Sequence, residues 1–97
     1  MILEIGLIKV KSADHLHFEE AVQRAVDEAL TGAAGFVNFQ LYKGVEEENT
    51  YAIHINWESI EDHMVTFRES PNFVKWREII SPYFSTAPIV NHWQILQ

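Results

Sequence analysis

The segment ILEIGLIKVK, Ile2 to Lys11, is apolar on both of the faces that an extended chain presents. Read as a strand, it sets Leu3, Ile5 and Leu7 on one side and Ile2, Ile8 and Val10 on the other. Such a strand has to be covered on both sides. A chain of 97 residues has room for one core and little else. One cover therefore comes from within the chain and the other from a partner.

The inner cover is legible. In SADHLHFEEAVQRAVDEALTG, Phe18, Ala21, Val22, Ala25, Val26, Ala29 and Leu30 recur at three- and four-residue spacing, which makes one helical stripe. Ser12 or Asp14 is placed to cap its start, Glu19 and Glu20 suit the positive end of its dipole, and Gly32 is expected to supply a left-handed stop.

GFVNFQLYKG and TYAIHINW read as two strands of a hairpin around the acidic loop VEEEN, Val45 to Asn49. Tyr51, Ile53, Ile55 and Trp57 share one face of the second, and Ala52, His54 and Asn56 the other. Ser59 followed by Asp62 resembles a capping box, opening a helix with Ile60, His63, Met64 and Phe67 on one side. Ser70-Pro71 starts the next helix, because proline in the first turn gives up an amide that has no helical partner. Phe73, Trp76, Ile79, Ile80 and Tyr83 carry it, and Pro82 limits it. APIVNHWQILQ reads as a closing strand.

The order β-α-β-β-α-α-β predicts an α+β, ferredoxin-like sandwich with an antiparallel four-stranded sheet, formed by residues 1–97 as one domain. In a monomer of this architecture water would wet the far face of the sheet. The first strand is apolar there, and the closing strand, with Ile89, Asn91, Trp93 and Ile95 against Val90, His92, Gln94 and Leu96, has no clean polar side. Exposing three or four large apolar side chains per strand would forgo roughly 1.5–3 kcal/mol each. A homodimer in which two sheets form a shared barrel resolves this, and two-fold dimers are the commonest assemblies.

Charge narrows the partners. The formal net charge is −7, with no Lys/Arg cluster, so a phosphate backbone is repelled and nucleic acid is not expected as a partner. No stretch approaches the ~20 apolar residues of a membrane span. The apolar start lacks a basic segment and a small-residue cleavage site, so it reads as a strand and not as a signal peptide. Absence of cysteine removes disulfides, thiolate chemistry and cysteine-based zinc sites, and fits a cytoplasmic location. No Gly-rich phosphate loop, nucleotide fingerprint or Ser-His-Asp order is present.

Trp57-Glu58-Ser59, then His63, Phe67, Ser70-Pro71, Phe73 and Trp76-Arg77, closed by PIVNHWQI, resemble the antibiotic biosynthesis monooxygenase (ABM) family of dimeric α+β barrels. The likeness covers the whole chain in element order, and its specific motif lies within Trp57–Arg77. It implies a pocket in each subunit, between sheet and helices, for a flat aromatic or quinol-like molecule. It also implies a monooxygenase that needs no cofactor, in which a deprotonated phenol itself passes an electron to oxygen. The wider superfamily includes isomerases, cyclases and proteins without known chemistry. The alternatives are thus a non-catalytic ligand-binding or stress-responsive barrel, and an isomerase or cyclase acting by proton transfer. Haem-degrading relatives carry an Asn, a Trp and an iron-binding His where this chain has Glu4 or Gly6, Phe67 and Arg77. The position of the cyclase histidine holds Asn72 or Phe73.

Within that frame His63 reads as a pocket base or as a buried histidine satisfied by a backbone carbonyl. His92 and His54 lie mid-strand and line either the pocket or the barrel interior. Phe67, Phe73, Trp76 and Tyr83 read as walls for an aromatic ligand or as core. Arg77 reads as an anchor for a carboxylate or phenolate, or as the partner of an acid such as Glu78. Tyr51 and Asn56 point to opposite faces, so one of them at most meets the same pocket. His15 and His17, two apart, do not share a helix face and are not expected to form a metal pair.

Overall fold

The computed structural model describes residues 1–97. Branched and aromatic residues at alternating positions build four strands: β1 (Ile2–Lys9), β2 (Phe36–Lys43), β3 (Thr50–Trp57) and β4 (Ile89–Gln94). They pair antiparallel in the order β2-β3-β1-β4, so β1 and β3 are central and β2 and β4 are edges. Helices α1 (His15–Ala25) and α2 (Pro71–Ile80) lie on one face, giving the ferredoxin-like arrangement that the element order predicts. No helix is long and apolar enough to cross a membrane.

The core forms where the stripe of α1 meets the inward side chains of β3. Phe18, Ala21, Val22 and Ala25 are buried, as are Val26, Ala29 and Leu30 in the π-helical turn Val26–Leu30 that continues the helix. Opposite them are Tyr51, Ile53, Ile55 and Trp57, all nearly inaccessible, while Ala52, His54 and Asn56 face the other way. Large side chains buried to this degree contribute about 1.5–3 kcal/mol each.

Local signals at the helix starts act differently from expectation. Neither Ser12 nor Asp14 caps through its side chain; Ser12–Asp14 forms a 3-10 turn that leads into α1. Glu19 is drawn to the core, where it accepts a hydrogen bond from Tyr51 Oη at 2.5 Å. The left-handed residue is Gly35 (φ 78°), not Gly32, because the chain turns tightly only where it enters β2. A Cβ on Gly35 would stand 2.5 Å or less from three atoms of the Asp62 side chain.

That aspartate belongs to the expected cap. Asp62 N donates to Ser59 Oγ at 3.2 Å, and Ser59 Oγ donates to Asp62 Oδ2 at 3.0 Å. The segment then widens into a π-helix, Asp62–Phe67, closed by Arg68 N donating to His63 O, five residues back. The wider turn re-phases the stripe: His63 and Phe67 face inward, whereas Ile60 and Met64 are exposed. Ser70 caps α2 as predicted, accepting from Phe73 N at 3.3 Å with Pro71 in the first turn. The closing strand ends at Gln94, leaving Ile95 and Leu96 exposed.

The far face of the sheet is divided. On β2 and β3 it carries Asn38, Gln40, Tyr42, Ala52, His54 and Asn56; on β1 and β4 it carries Leu3, Ile5, Leu7, Ile89, Asn91 and Trp93. Leu7, Ile89 and Trp93 are 44%, 60% and 55% exposed, so the apolar surface is concentrated on one half of the sheet.

Candidate functional site

The register of the central strands explains why a site can exist here. Toward the helices β1 presents Glu4, Gly6 and Ile8 in succession. Gly6 pairs with Ile53 on one side and Val90 on the other, and its missing side chain leaves space above the sheet. A Cβ there would meet only Val90 Cγ2, at an ordinary 3.8 Å. Above that gap the helices stand off, and a cavity of about 160 Å³ opens between sheet and helices.

Its walls are mostly apolar: Ile53, Ile55, Phe67, Phe73, Trp76 and Val90 all reach it. Polar groups cluster at one end, where Glu4 and His63 line the cavity, and Arg68 and Arg77 reach it from the helical side. Neither arginine makes an ion pair with a carboxylate of the chain. The Arg77 guanidinium lies 5.8 Å from the centre of the Phe73 ring. Both arginines are also exposed to solvent, so they put positive charge at the mouth of the cavity.

Glu4 is the group that sequence reasoning passed over. It is the single acid in an apolar strand and lies on the same side as Ile2 and Ile8, a pattern that marks a buried carboxyl. Trp57 Nε1 donates to its Oε1 at 2.9 Å, and His63 Nε2 lies 3.3 Å from the same oxygen. Its Oε2 makes no hydrogen bond within the chain. Asn56 Oδ1 is the one sealed side-chain polar atom without a partner, so Oε2 keeps access to open space. Burial pushes the Glu4 carboxyl up to about 7, against the Trp57 hydrogen bond and the Arg68 charge, both of which favour the carboxylate.

His63 uses both ring nitrogens on side chains and neither on a backbone carbonyl. Nε2 faces Glu4, and Nδ1 is 2.7 Å from His92 Nε2. Its ring stacks on Trp57, with centroids 5.1 Å apart and planes 14° from parallel. Burial, then the neighbouring His92 and Arg68, hold its pKa down at about 4. The ring is thus neutral near pH 7, so its 3.3 Å contact with Glu4 is not an ion pair there. His92 is also lowered, by burial and then by Arg68.

The residues predicted for the site separate into two groups. His63, Phe67, Phe73, Trp76 and Arg77 line the cavity, and His92 touches it through His63. Tyr51 and Tyr83 lie outside it: Tyr51 is sealed in the core against Glu19 and Phe18, and Tyr83 packs on the other side of Phe18. His54 is on the far face of the sheet beside Tyr42. His15 Nε2 is 3.1 Å from Val10 O, and no group of three His, Asp or Glu is arranged to hold a metal ion. Arg68 joins Glu4 as a residue of the site that the sequence did not single out, and Trp57, known from the sequence only as part of the family motif, holds Glu4 in place.

Comparison with known proteins follows the same outline. Residues 1–79 match the model of the antibiotic biosynthesis monooxygenase family. A Bordetella bronchiseptica crystal structure, provisionally named an antibiotic biosynthesis monooxygenase, is 31% identical and superposes with a TM-score of 0.93, over 99% of this chain and 97% of that one. A second one so named, from Caulobacter crescentus CB15, has a TM-score of 0.83 at 18% identity, over 99% and 90% of the two chains, and speaks for the fold alone. The uncharacterised protein YczJ of Bacillus subtilis (strain 168) is 29% identical over 94 residues, 97% of this chain and 98% of its own.

Proposed function

The chain belongs to the antibiotic biosynthesis monooxygenase family, and we propose that it binds a small, acidic, single-ring phenol or quinol and oxygenates it without a metal or flavin. The observation that carries this reading is an apolar-walled cavity lined by an ionisable acid and a neutral histidine and reached by two unpaired arginines. A cavity of about 160 Å³ is close to the size that admits one benzene ring. A fused three-ring substrate exceeds that volume and would extend through the open side of the cavity.

Each group has a physical task. Phe67, Phe73 and Trp76 hold the ring and exclude water, which strengthens every charge interaction inside. Glu4, with a pKa near 7, accepts the phenolic proton at neutral pH. Arg68 and Arg77 favour the phenolate that results. An electron-rich phenolate can pass one electron to oxygen, and recombination of the two radicals forms a carbon–oxygen bond. Loss of water from that peroxide leaves a quinone, so phenol plus oxygen gives quinone plus water.

The sheet face bearing Leu7, Ile89 and Trp93 supports a homodimer built back to back, which leaves the cavity on the helical side of each protomer. A second reading, proton transfer alone in an isomerase or cyclase, is favoured by the contact of Glu4 with His63, which suits moving a proton between two positions of one substrate.

Oxygen uptake with single-ring hydroquinones, and with an anthrone as the larger comparator, tests the proposal. Uptake with the small ring, lost in Gly6→Leu because the new side chain fills the cavity, is the expected result. Binding without uptake but with isomerised product moves the assignment to proton transfer. No binding of any ring compound overturns both.

A further inference from the structure

We propose that Glu4, His63 and His92 form a proton relay that carries a proton from the cavity to solvent at the edge strand β4. This deepens the reading above: it gives the proton that Glu4 removes from a bound phenol a way out while the phenolate meets oxygen, and the same path in reverse returns the proton that the peroxide needs to lose water. Three separate elements converge to make it: β1 supplies Glu4, the π-helix supplies His63 and β4 supplies His92. Glu4 and His92 are direct cross-strand partners, so their side chains rise on the same side of the sheet with His63 over them.

The geometry is a chain and not a chelate. His63 meets Glu4 Oε1 with Nε2 at 3.3 Å and His92 Nε2 with Nδ1 at 2.7 Å. An imidazole hydrogen-bonded at one nitrogen, with an acid beside the other, can receive a proton on one side while it releases another on the far side. The Glu4 contact is the longer one, and such contacts commonly tighten when a ligand closes the site. The stack on Trp57, whose Nε1 is itself donated to Glu4, holds the ring in the plane that serves both neighbours. His92 does not line the cavity and is half-exposed, and its Nδ1 makes no hydrogen bond within the chain. That nitrogen is the exit.

The protons balance at each step. With Glu4 protonated, its O–H points to His63 Nε2, His63 carries its proton on Nδ1 and shares it with His92 Nε2, and His92 carries its own on Nδ1. Transfer of the Glu4 proton to His63 Nε2, with the Nδ1 proton passing to His92 Nε2, leaves a carboxylate, a neutral His63 and a doubly protonated His92. Loss of the Nδ1 proton of His92 to water completes the passage. Both histidines end neutral and in the opposite tautomer. Arg68 is the charged group facing all three members, and its field keeps the proton from resting on either ring.

The signature is therefore a change of tautomer, which requires no turnover to observe. Nitrogen-15 spectra of the imidazoles, recorded on the full chain from pH 5 to pH 9, read the protonated nitrogen of each ring directly. The expected result is that His63 and His92 switch tautomer together in one transition, and that Glu4→Gln abolishes the switch in both rings. If His63 keeps one tautomer throughout, or His92 titrates identically in wild type and Glu4→Gln, the relay is overturned, whatever the outcome of the oxygen-uptake assay. His92→Gln supplies the second variant: with the exit removed, His63 is expected to lose the coordinated switch. A switch unaltered in His92→Gln overturns the assignment of His92.

Discussion

His63 Nδ1 and His92 Nε2 stand 2.7 Å apart, tying the π-helix to the edge strand β4 across 29 residues of sequence. Because the other nitrogen of His63 faces Glu4, no part of this ring is idle. His63→Phe keeps an aromatic ring over Trp57 and so preserves most of the packing, yet it leaves His92 and Glu4 each short of a partner. Urea denaturation at pH 8 is expected to show a loss of about 1–3 kcal/mol, the usual cost of stranding a buried polar group. An unchanged midpoint would mean that the ring acts there only as a filler.

Gly35 controls the same region from below. It has φ 78°, and the space where its Cβ would go is occupied by Asp62, the residue that completes the cap with Ser59. Gly35→Ala therefore meets two penalties together, a left-handed backbone with a side chain and a collision that dislodges the cap. The expected destabilisation is at least about 2 kcal/mol. Gly32→Ala is the control: nothing lies within 4 Å of its Cβ position and its φ is not positive, so its effect should be small or favourable.

How far the sequence could be read follows from what each signal depends on. The α1 stripe and the alternation of Tyr51, Ile53, Ile55 and Trp57 were legible because burial on one face writes a period into the chain. Phe67, Phe73 and Trp76 could be placed near a pocket only through a family resemblance, since an aromatic stripe looks alike whether it meets core or cavity. Tyr51 is such a case, with its hydroxyl bound to Glu19 and no access to the cavity. Glu4 and Arg68 escaped notice because their importance is made by tertiary contact: a carboxyl becomes a site when an indole from β3 and an imidazole and a guanidinium from the π-helix and its end arrive beside it. The displacement of Ile60 and Met64 to the surface has the same origin, since a π-helix changes the period that the pattern assumes.

The divided far face of the sheet makes a separate expectation. Leu3, Ile5, Leu7, Ile89 and Trp93 surround the one polar residue, Asn91, on β1 and β4, while Asn38, Gln40, His54 and Asn56 make the other half more polar. A stable interface removes about 800 Å² from each partner, and such a half-face can supply its centre. Sedimentation is expected to give twice the 11.3 kDa chain mass at micromolar concentration. Trp93→Glu combined with Ile89→Lys should shift it to one chain mass, because each buries a charge without a partner. A wild-type monomer at that concentration would sink the back-to-back arrangement.

The last expectation concerns acid and base together. Glu4 has its pKa raised from 4.5 to about 7, so between those values the folded chain holds a proton that the unfolded chain has released, and stability falls as pH rises through that window. His63 has its pKa lowered from 6.5 to about 4, so between those values the unfolded chain holds the extra proton, and stability rises with pH. Each full span corresponds to roughly 3 kcal/mol. From about pH 4.5 to 6.5 the two contributions therefore oppose each other, and wild type should show little dependence from this pair. Single variants separate them. Relative to wild type, Glu4→Gln should gain stability with rising pH across that interval and His63→Phe should lose it; the lowered His92 is common to wild type and Glu4→Gln and cancels between them. Urea midpoints at half-unit pH steps measure both slopes. Parallel curves for the two variants would show that the acid and the histidine do not hold these opposite shifts.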